Sequence, residues 1–114
     1  MIAKFLQEGK SIDYTTVAAL AAGDVVPLTN RCGVAVSPIA ALGTGALTVQ
    51  GVFEVPKTGG SGGETFTLDE KLYWDAGSEV ATASSGSGSN LCLGLCIEAA
   101  GATDTSVKVQ LALF

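Results

Sequence analysis

The sequence predicts an all-β domain with little or no helix, folded as a small barrel or as a bent-ribbon, β-clip-like sandwich. Hydrophobic residues make up 47% and charged residues 15% of the 114 residues, which is enough apolar material for one core. Fifteen glycines divide the chain into short apolar segments, a pattern typical of strands joined by turns. Several of these segments alternate apolar and polar residues with period two, as half-buried strands require.

The chain divides into an N-terminal arm, residues 1–10, and a single β domain, residues 11–114. The arm carries three large apolar residues, Ile2, Phe5 and Leu6. Two interpretations of the arm are open. It folds back as an edge strand of its own subunit, or it adds a strand to a neighbouring subunit.

The first half of the domain contains three short β-prone segments followed by a longer one. We expect strands at residues 11–17, 25–28 and 32–36, with 18–22 as a connection that leads into a turn. The longer strand places Leu47, Val49, Gly51, Phe53 and Val55 on one face. Pro56 ends this strand, because proline has no N–H for the ladder.

The second half repeats this organisation, with strands predicted at 64–68, 71–75, 79–82, 91–97 and 106–114. Glycine and serine dominate residues 58–63 and 84–89, which indicates flexible surface loops. In segment 91–97 both alternating faces are apolar or small, so we expect that strand to be covered on both sides.

The two halves, about 11–57 and 64–114, form a near-repeat. Residues 33–36 match 94–97, residues 24–26 match 70–72, and residues 47–50 match 107–110. One such set of hairpins cannot bury its own apolar face. Two copies that face each other can, and this predicts a fold built from two pseudo-repeated halves.

Charge and residue types argue against several functions. The net charge is −5, and the six Lys and Arg residues are scattered, so we expect no nucleic-acid binding. Histidine is absent, which removes the commonest general base and metal ligand. We therefore predict no enzyme activity and no catalytic, cofactor-binding or metal-binding residues.

The cysteines Cys32, Cys92 and Cys96 are best interpreted as small free thiols of a reducing compartment. A zinc site at Cys92 and Cys96 would need two further ligands. No apolar run has the length of a signal-peptide core or a membrane span, so we expect synthesis in the cytoplasm and no membrane contact.

Tyr73 and Trp74 are adjacent aromatic residues, and at most one of them can point inward from a strand. They are interpreted as core or subunit-interface residues, with an exposed binding pair as the alternative.

Five segments in order resemble one known family. They are the N-terminal Phe5 to Gly9, residues 22–26, residues 33–36, the run Gly-Val-Phe-Glu-Val-Pro-Lys at 51–57, and Tyr-Trp-Asp at 73–75. Together with 93–94 and 107–111 they resemble the DUF2190 family of small tailed-phage proteins, regarded as capsid cement or decoration proteins. The chain departs from the family at Asp69-Glu70, where Gly-Asp is usual.

The resemblance implies a structural virion protein on the outer surface of a phage head, which cements neighbouring major capsid protein subunits. By analogy with other head-decoration proteins it implies a homo-oligomer, with a trimer favoured over a dimer. We predict that the capsid or subunit interface includes Ile2, Phe5, Leu6, Tyr73 and Trp74. The alternative is a ligand-binding or carbohydrate-binding module displayed on the virion.

Overall fold

A computed structural model describes Ala3 and residues 10–60 and 63–111. In these residues nine strands form two antiparallel sheets, and the helical content is one short 3-10 turn, Gly86–Gly88. The strands are β1 Ser11–Thr15, β2 Val25–Pro27, β3 Cys32–Ala35, β4 Thr44–Thr48, β5 Gly51–Pro56, β6 Lys71–Asp75, β7 Val80–Thr82, β8 Leu91–Cys96 and β9 Ser106–Leu111. The two sheets have a sandwich-like arrangement, which confirms the all-β prediction.

The first sheet has the strand order β1-β4-β3-β2 and the second β5-β9-β8-β6-β7. In the second sheet β5 and β9 pair over their full lengths, with Phe53 opposite Val109 and Val55 opposite Val107. Val107, Val109 and Leu111 are buried, while the residues between them are exposed. The alternation predicted for the closing segment is therefore confirmed for β9.

The predicted long strand through residues 47–55 is wrong as a single element. Strand β4 ends at Thr48 and β5 begins at Gly51, and the two strands belong to different sheets. Gly51 has a φ of +124°, which glycine tolerates better than other residues. The apolar face from Leu47 to Val55 continues through the crossing, and Val52 is the one departure from the alternation, so the sequence pattern favours a single strand. Pro56 is the last residue of β5, as predicted.

The predicted strand at 64–68 is also absent. This segment makes a single antiparallel bridge between Phe66 and Ala100, with two backbone hydrogen bonds of 3.0 Å. Phe66 is 1% exposed and packs in a cluster of buried residues that consists mainly of second-sheet side chains. Residues 64–68 thus form a connection in which only Phe66 is buried, although their sequence alternates like that of a strand.

Strand β8 departs from simple alternation because of a bulge. Leu72 pairs with Gly94 and Tyr73 pairs with Cys92, so Leu93 has no partner on β6. Leu93 and Cys96 consequently lie in the same core cluster, although strict alternation places them on opposite faces.

Two clusters of buried residues hold the sheets together. The larger consists mainly of second-sheet residues, and Cys32 and Val34 of β3 join it from the first sheet. The smaller cluster contains Val26, Ala35 and Leu47, with half-buried neighbours that include Ile12. Strand β3 contributes to both clusters, and all four of its residues are buried.

The near-repeat corresponds to a shared topology, since β1-β4-β3-β2 and β5-β9-β8-β6 have the same order. Val26 lies opposite Gly33, and Leu72 lies opposite Gly94, as the sequence match implies. The bridge Leu20–Ile39 likewise has its counterpart in Phe66–Ala100.

The match of the long strands is displaced by two residues. Leu47 lies opposite Ala35, and the residue opposite Cys96 is Val109, so Leu47 corresponds to Val109 and not to Val107. A shift of two preserves the faces of a strand, which is why the sequence pattern did not reveal it. Strand β7 is an addition within the second half, between the counterparts of Val26 and Gly33.

Candidate functional site

An uncharged apolar surface lies at one end of the first sheet. We call it the apolar tip and define it as residues 17–22 and 38–42. The Leu20–Ile39 bridge joins the two segments, with N–H to O=C distances of 2.9 and 3.0 Å. Neither segment contains a polar side chain. Val17 is 83% exposed and Leu42 is 77% exposed, so large aliphatic side chains stand in solvent.

Leu42 combines this exposure with an unfavourable backbone. Its φ is +61°, within the left-handed region, where a residue with a Cβ loses about 1–2 kcal/mol. The turn is closed by Gly43 N–H, which donates to Ala40 O at 2.8 Å. An exposed leucine in this conformation adds nothing to the core, which makes Leu42 a candidate contact residue.

In the second half, the end that corresponds to the apolar tip contains a buried charged residue, Lys57. Lys57 is 4% exposed, and its Nζ donates to the backbone oxygens of Thr58, Gly101 and Asp104 at 2.9, 3.0 and 2.8 Å. The ammonium also lies 5.8 Å from the centroid of the Phe66 ring. Three acceptors match the three N–H donors of lysine, so the buried cation is fully hydrogen-bonded. Lys57 therefore ties the 101–104 turn to the end of β5.

The predicted interface residues divide between two locations. Ile2, Phe5 and Leu6 lie outside the described residues. Trp74 is 6% exposed and belongs to the larger core, while Tyr73 is half-buried with Lys71 Nζ 5.6 Å from its ring centroid. One aromatic residue of the pair thus points inward and the other reaches the surface. Their part in an interface stays a prediction.

The three thiols are free. Burial raises the pKa of Cys32 to about 11, and the nearby Cys92 adds to the increase. Burial also raises the pKa of Cys92, against the opposing effect of Lys71. Cys96 is buried and donates its S–H to Glu98 O at 3.0 Å. Cys32 and Cys92 are therefore protonated at neutral pH and are poor nucleophiles.

Residues 10–60 and 63–111 contain neither a metal-binding cluster nor a helix that could span a membrane. That part of the chain brings together no group of three or more Cys, Asp or Glu side chains that could hold a metal ion. It also contains no helix of the length and apolarity needed to cross a membrane.

A protein-family model described as phage cement protein matches residues 6–111. The chain belongs to the phage cement protein family. Membership gives this cement protein a structural role in the phage capsid and a location in the virion. The narrower DUF2190 label stays a prediction. No curated protein and no solved structure matches the chain.

Sequence reasoning missed the two most distinctive features of this cement protein. The sequence predicts only a connection at 18–22, although the lack of any polar side chain from 17 to 22 is a signal for the exposed apolar surface. From the sequence, Lys57 is only the last residue of the Gly-Val-Phe-Glu-Val-Pro-Lys segment. Nothing in its sequence neighbourhood shows that the loop at 101–104 supplies two of the three acceptors.

Proposed function

We propose that this protein binds the outer surface of a tailed-phage head and cements neighbouring major capsid protein subunits. The observation that carries the proposal is the match to the phage cement protein family over residues 6–111. We also propose that the protein is synthesised in the host cytoplasm. A cement protein needs no catalytic group, only a rigid body and a surface that contacts more than one capsid subunit.

The apolar tip is the contact surface that the geometry favours. It presents Val17 and Leu42 on a two-segment support held by the Leu20–Ile39 bridge. Burying one leucine side chain contributes about 1.5–3 kcal/mol. A tip that meets the junction between two capsid subunits would bind the assembled lattice more tightly than free subunits, and it would stabilise that lattice by mass action.

We further propose a homo-oligomer, a trimer in preference to a dimer, with the N-terminal arm as an interface element through Ile2, Phe5 and Leu6. Several tips in one oligomer add avidity, because the second contact becomes intramolecular. Truncation of residues 1–8 should weaken head binding. Sedimentation equilibrium of the truncated protein would show whether the oligomer is lost with it.

The carbohydrate-binding alternative gains no support from the aromatic residues. Trp74 is 6% exposed and packs in the larger core. A sugar-stacking platform needs an exposed ring face, which a tryptophan at 6% exposure does not offer, and Tyr73 is half-buried.

The test is co-sedimentation with expanded and unexpanded heads, with Leu42→Asn as the variant. Asparagine tolerates a positive φ, so we expect unchanged or slightly increased stability and about 10-fold to 100-fold weaker binding. Leu68→Asn is the matched control, because Leu68 is 68% exposed and lies outside the tip. Wild-type protein that binds neither type of head would overturn the proposed function. If Leu42→Asn binds heads as tightly as the wild-type protein, the apolar tip is not part of the contact surface.

A further inference from the structure

A cleft of about 290 Å³ lies where edge strand β2 of the first sheet meets edge strand β5 of the second. Its apolar walls include Val25 and Val55. Pro27 and Pro56, the last residues of the two strands, also line it. Proline presents no N–H, so these strand ends are poor templates for an added strand. The cleft is better shaped to receive a side chain.

Acidic side chains surround this apolar floor. The cleft is lined by Asp24, Glu54 and Glu79, and none of its lining residues is basic. Asp24 is held in place by the Ala21 N–H, which donates to its carboxylate at 2.8 Å. Glu54 lies across the strand pair from Lys108, but the Lys108 ammonium is bound to Glu98 at 3.0 Å. Carboxylates around a concave apolar surface favour a cationic occupant.

Trp74 provides a second and independent indication of an occupant. It is 6% exposed and lines the cleft, and its indole N–H has no hydrogen-bond acceptor among residues 10–60 and 63–111. Within the same residues no fully buried side-chain nitrogen or oxygen lacks a partner. The indole nitrogen is therefore accessible to solvent, and Trp74 is one of the residues that line the cleft. An occupant that excludes water must supply an acceptor for it.

We propose that this cleft binds an arginine side chain of the capsid surface, with the adjoining backbone carbonyl of that segment as acceptor for the Trp74 N–H. The inference rests on the proposed function for the identity of the partner. A guanidinium suits the site better than an ammonium, because its planar donors can reach several carboxylates while its faces contact the apolar walls of the cleft. The docked arginine would orient the cement protein on the lattice, and the apolar tip, which adjoins the cleft at Leu20, would supply a further contact.

The chain contains one tryptophan, so the indole N–H resonance in a ¹⁵N-labelled sample reports on this cleft alone. The probe is the peptide acetyl-Ala-Arg-Ala-amide, and acetyl-Ala-citrulline-Ala-amide is the neutral isostere. We expect a saturable shift with the arginine peptide and at least about 10-fold weaker binding of the citrulline peptide. Glu54→Gln with Glu79→Gln should weaken arginine binding about 10-fold. Asp13→Asn, an exposed carboxylate on β1 outside the cleft, should leave it unchanged.

If the arginine peptide causes no shift, or if both peptides cause equal shifts, the proposal is wrong, irrespective of the result of the head-binding measurement. The second measurement is retention on phage heads, which the double glutamine variant should lower about 10-fold. If the peptide binds the cleft but the variant is retained on heads like the wild type, the capsid is not the source of the arginine and the assigned partner is wrong. If wild-type protein fails to bind heads, the proposed function fails, while the peptide titration still decides whether the cleft recognises arginine.

Discussion

Lys57 shows how a single residue decides local structure. A lysine buried to 4% exposure is costly unless each N–H donor has an acceptor, and here three backbone oxygens provide them. Two of these oxygens belong to residues 101 and 104, far along the chain. The side chain therefore acts as a cross-link between the end of β5 and the turn before β9.

Replacing this lysine by methionine keeps the aliphatic stem and removes the donors. We expect Lys57→Met to lower the free energy of unfolding by about 1–3 kcal/mol, because three hydrogen bonds are lost, two of which join the end of β5 to the turn at 101–104. Urea denaturation followed by circular dichroism measures this change. Lys108→Met is the control, since that ammonium pairs with Glu98 at the surface and should matter little. Equal effects of the two substitutions would show that the buried hydrogen bonds of Lys57 contribute no special stability.

Because the Cys32 thiol is buried, we expect the protein to lose stability at alkaline pH. Burial raises its pKa from 9.0 to about 11, so the folded state holds the thiol proton more tightly than the unfolded state. The resulting stabilisation is complete below about pH 9 and is lost as pH rises towards 11. It amounts to about 2–3 kcal/mol. Cys32→Ala, although less stable at neutral pH, should show a flatter decline in Tm between pH 9 and 11. Parallel pH profiles of the two proteins would contradict this account.

At the scale of elements, β8 and β9 approach so closely that only glycine fits at position 94. A Cβ on Gly94 would collide with the backbone oxygen of Gln110. The corresponding residue of the first half, Gly33, would meet the side chain of Leu47, 2.6 Å from its Cδ2. The conserved topology of the halves thus places a glycine at the same crowded point in both sheets. A Cβ at Gly94 would meet backbone, which cannot easily move, whereas a Cβ at Gly33 would meet a side chain that can change its conformation.

Gly94→Ala should therefore destabilise the protein more than Gly33→Ala, by about 2–4 kcal/mol against about 1–3 kcal/mol. Gly77→Ala is the control, because its Cβ would lie 3.4 Å from the Asp75 carboxylate in a surface turn and should be tolerated. Thermal unfolding of the three variants gives the ranking. A Gly94→Ala protein as stable as Gly77→Ala would mean that the two strands can separate without cost.

The serine- and glycine-rich segment 84–89 is an element of its own. It is exposed, as predicted, and it contains the 3-10 turn Gly86–Gly88. Side chains stabilise it locally, since Ser84 Oγ accepts from Gly86 N–H at 3.1 Å and Asn90 Nδ2 donates to Ser84 O at 3.0 Å. Serine and asparagine compensate here for the conformational freedom of glycine.

At the scale of the whole molecule, we propose that residues 11–114 form one domain although the two halves have equivalent topologies. Cys32 and Val34 belong to β3 of the first sheet, but their side chains pack in the larger cluster with residues of the second sheet. Neither half can then unfold without exposing apolar surface of the other. We expect a single cooperative transition.

Val34→Ala tests this coupling. It should lower the free energy of unfolding by about 1–3 kcal/mol and keep one transition. Trp74 fluorescence, which reports on the second half, and backbone circular dichroism, which reports on both, should give the same urea midpoint. Separate midpoints in the wild-type protein would show that the halves are independent domains.

The sequence by itself determined the fold class, the strands β1, β2, β3, β6, β7, β8 and β9 to within a few residues, and the repeat around Gly33 and Gly94. These features are local or periodic, and alternation, glycine and proline express them directly. The resemblance to cement proteins was also available from the order of short segments. The predicted free, buried thiols are confirmed for Cys32 and Cys96.

Only the tertiary structure decided where the chain leaves one sheet for the other, because the apolar face from Leu47 to Val55 continues across the crossing at Gly51, with Val52 as the one apolar residue on the opposite face. It alone brought the acceptors to Lys57, joined residues 17–22 to 38–42 as one tip, and placed Trp74 beside Asp24, Glu54 and Glu79. Each of these arrangements joins residues that are distant in sequence. A linear pattern specifies which face of a strand is apolar, whereas the packing of two sheets determines what that face meets.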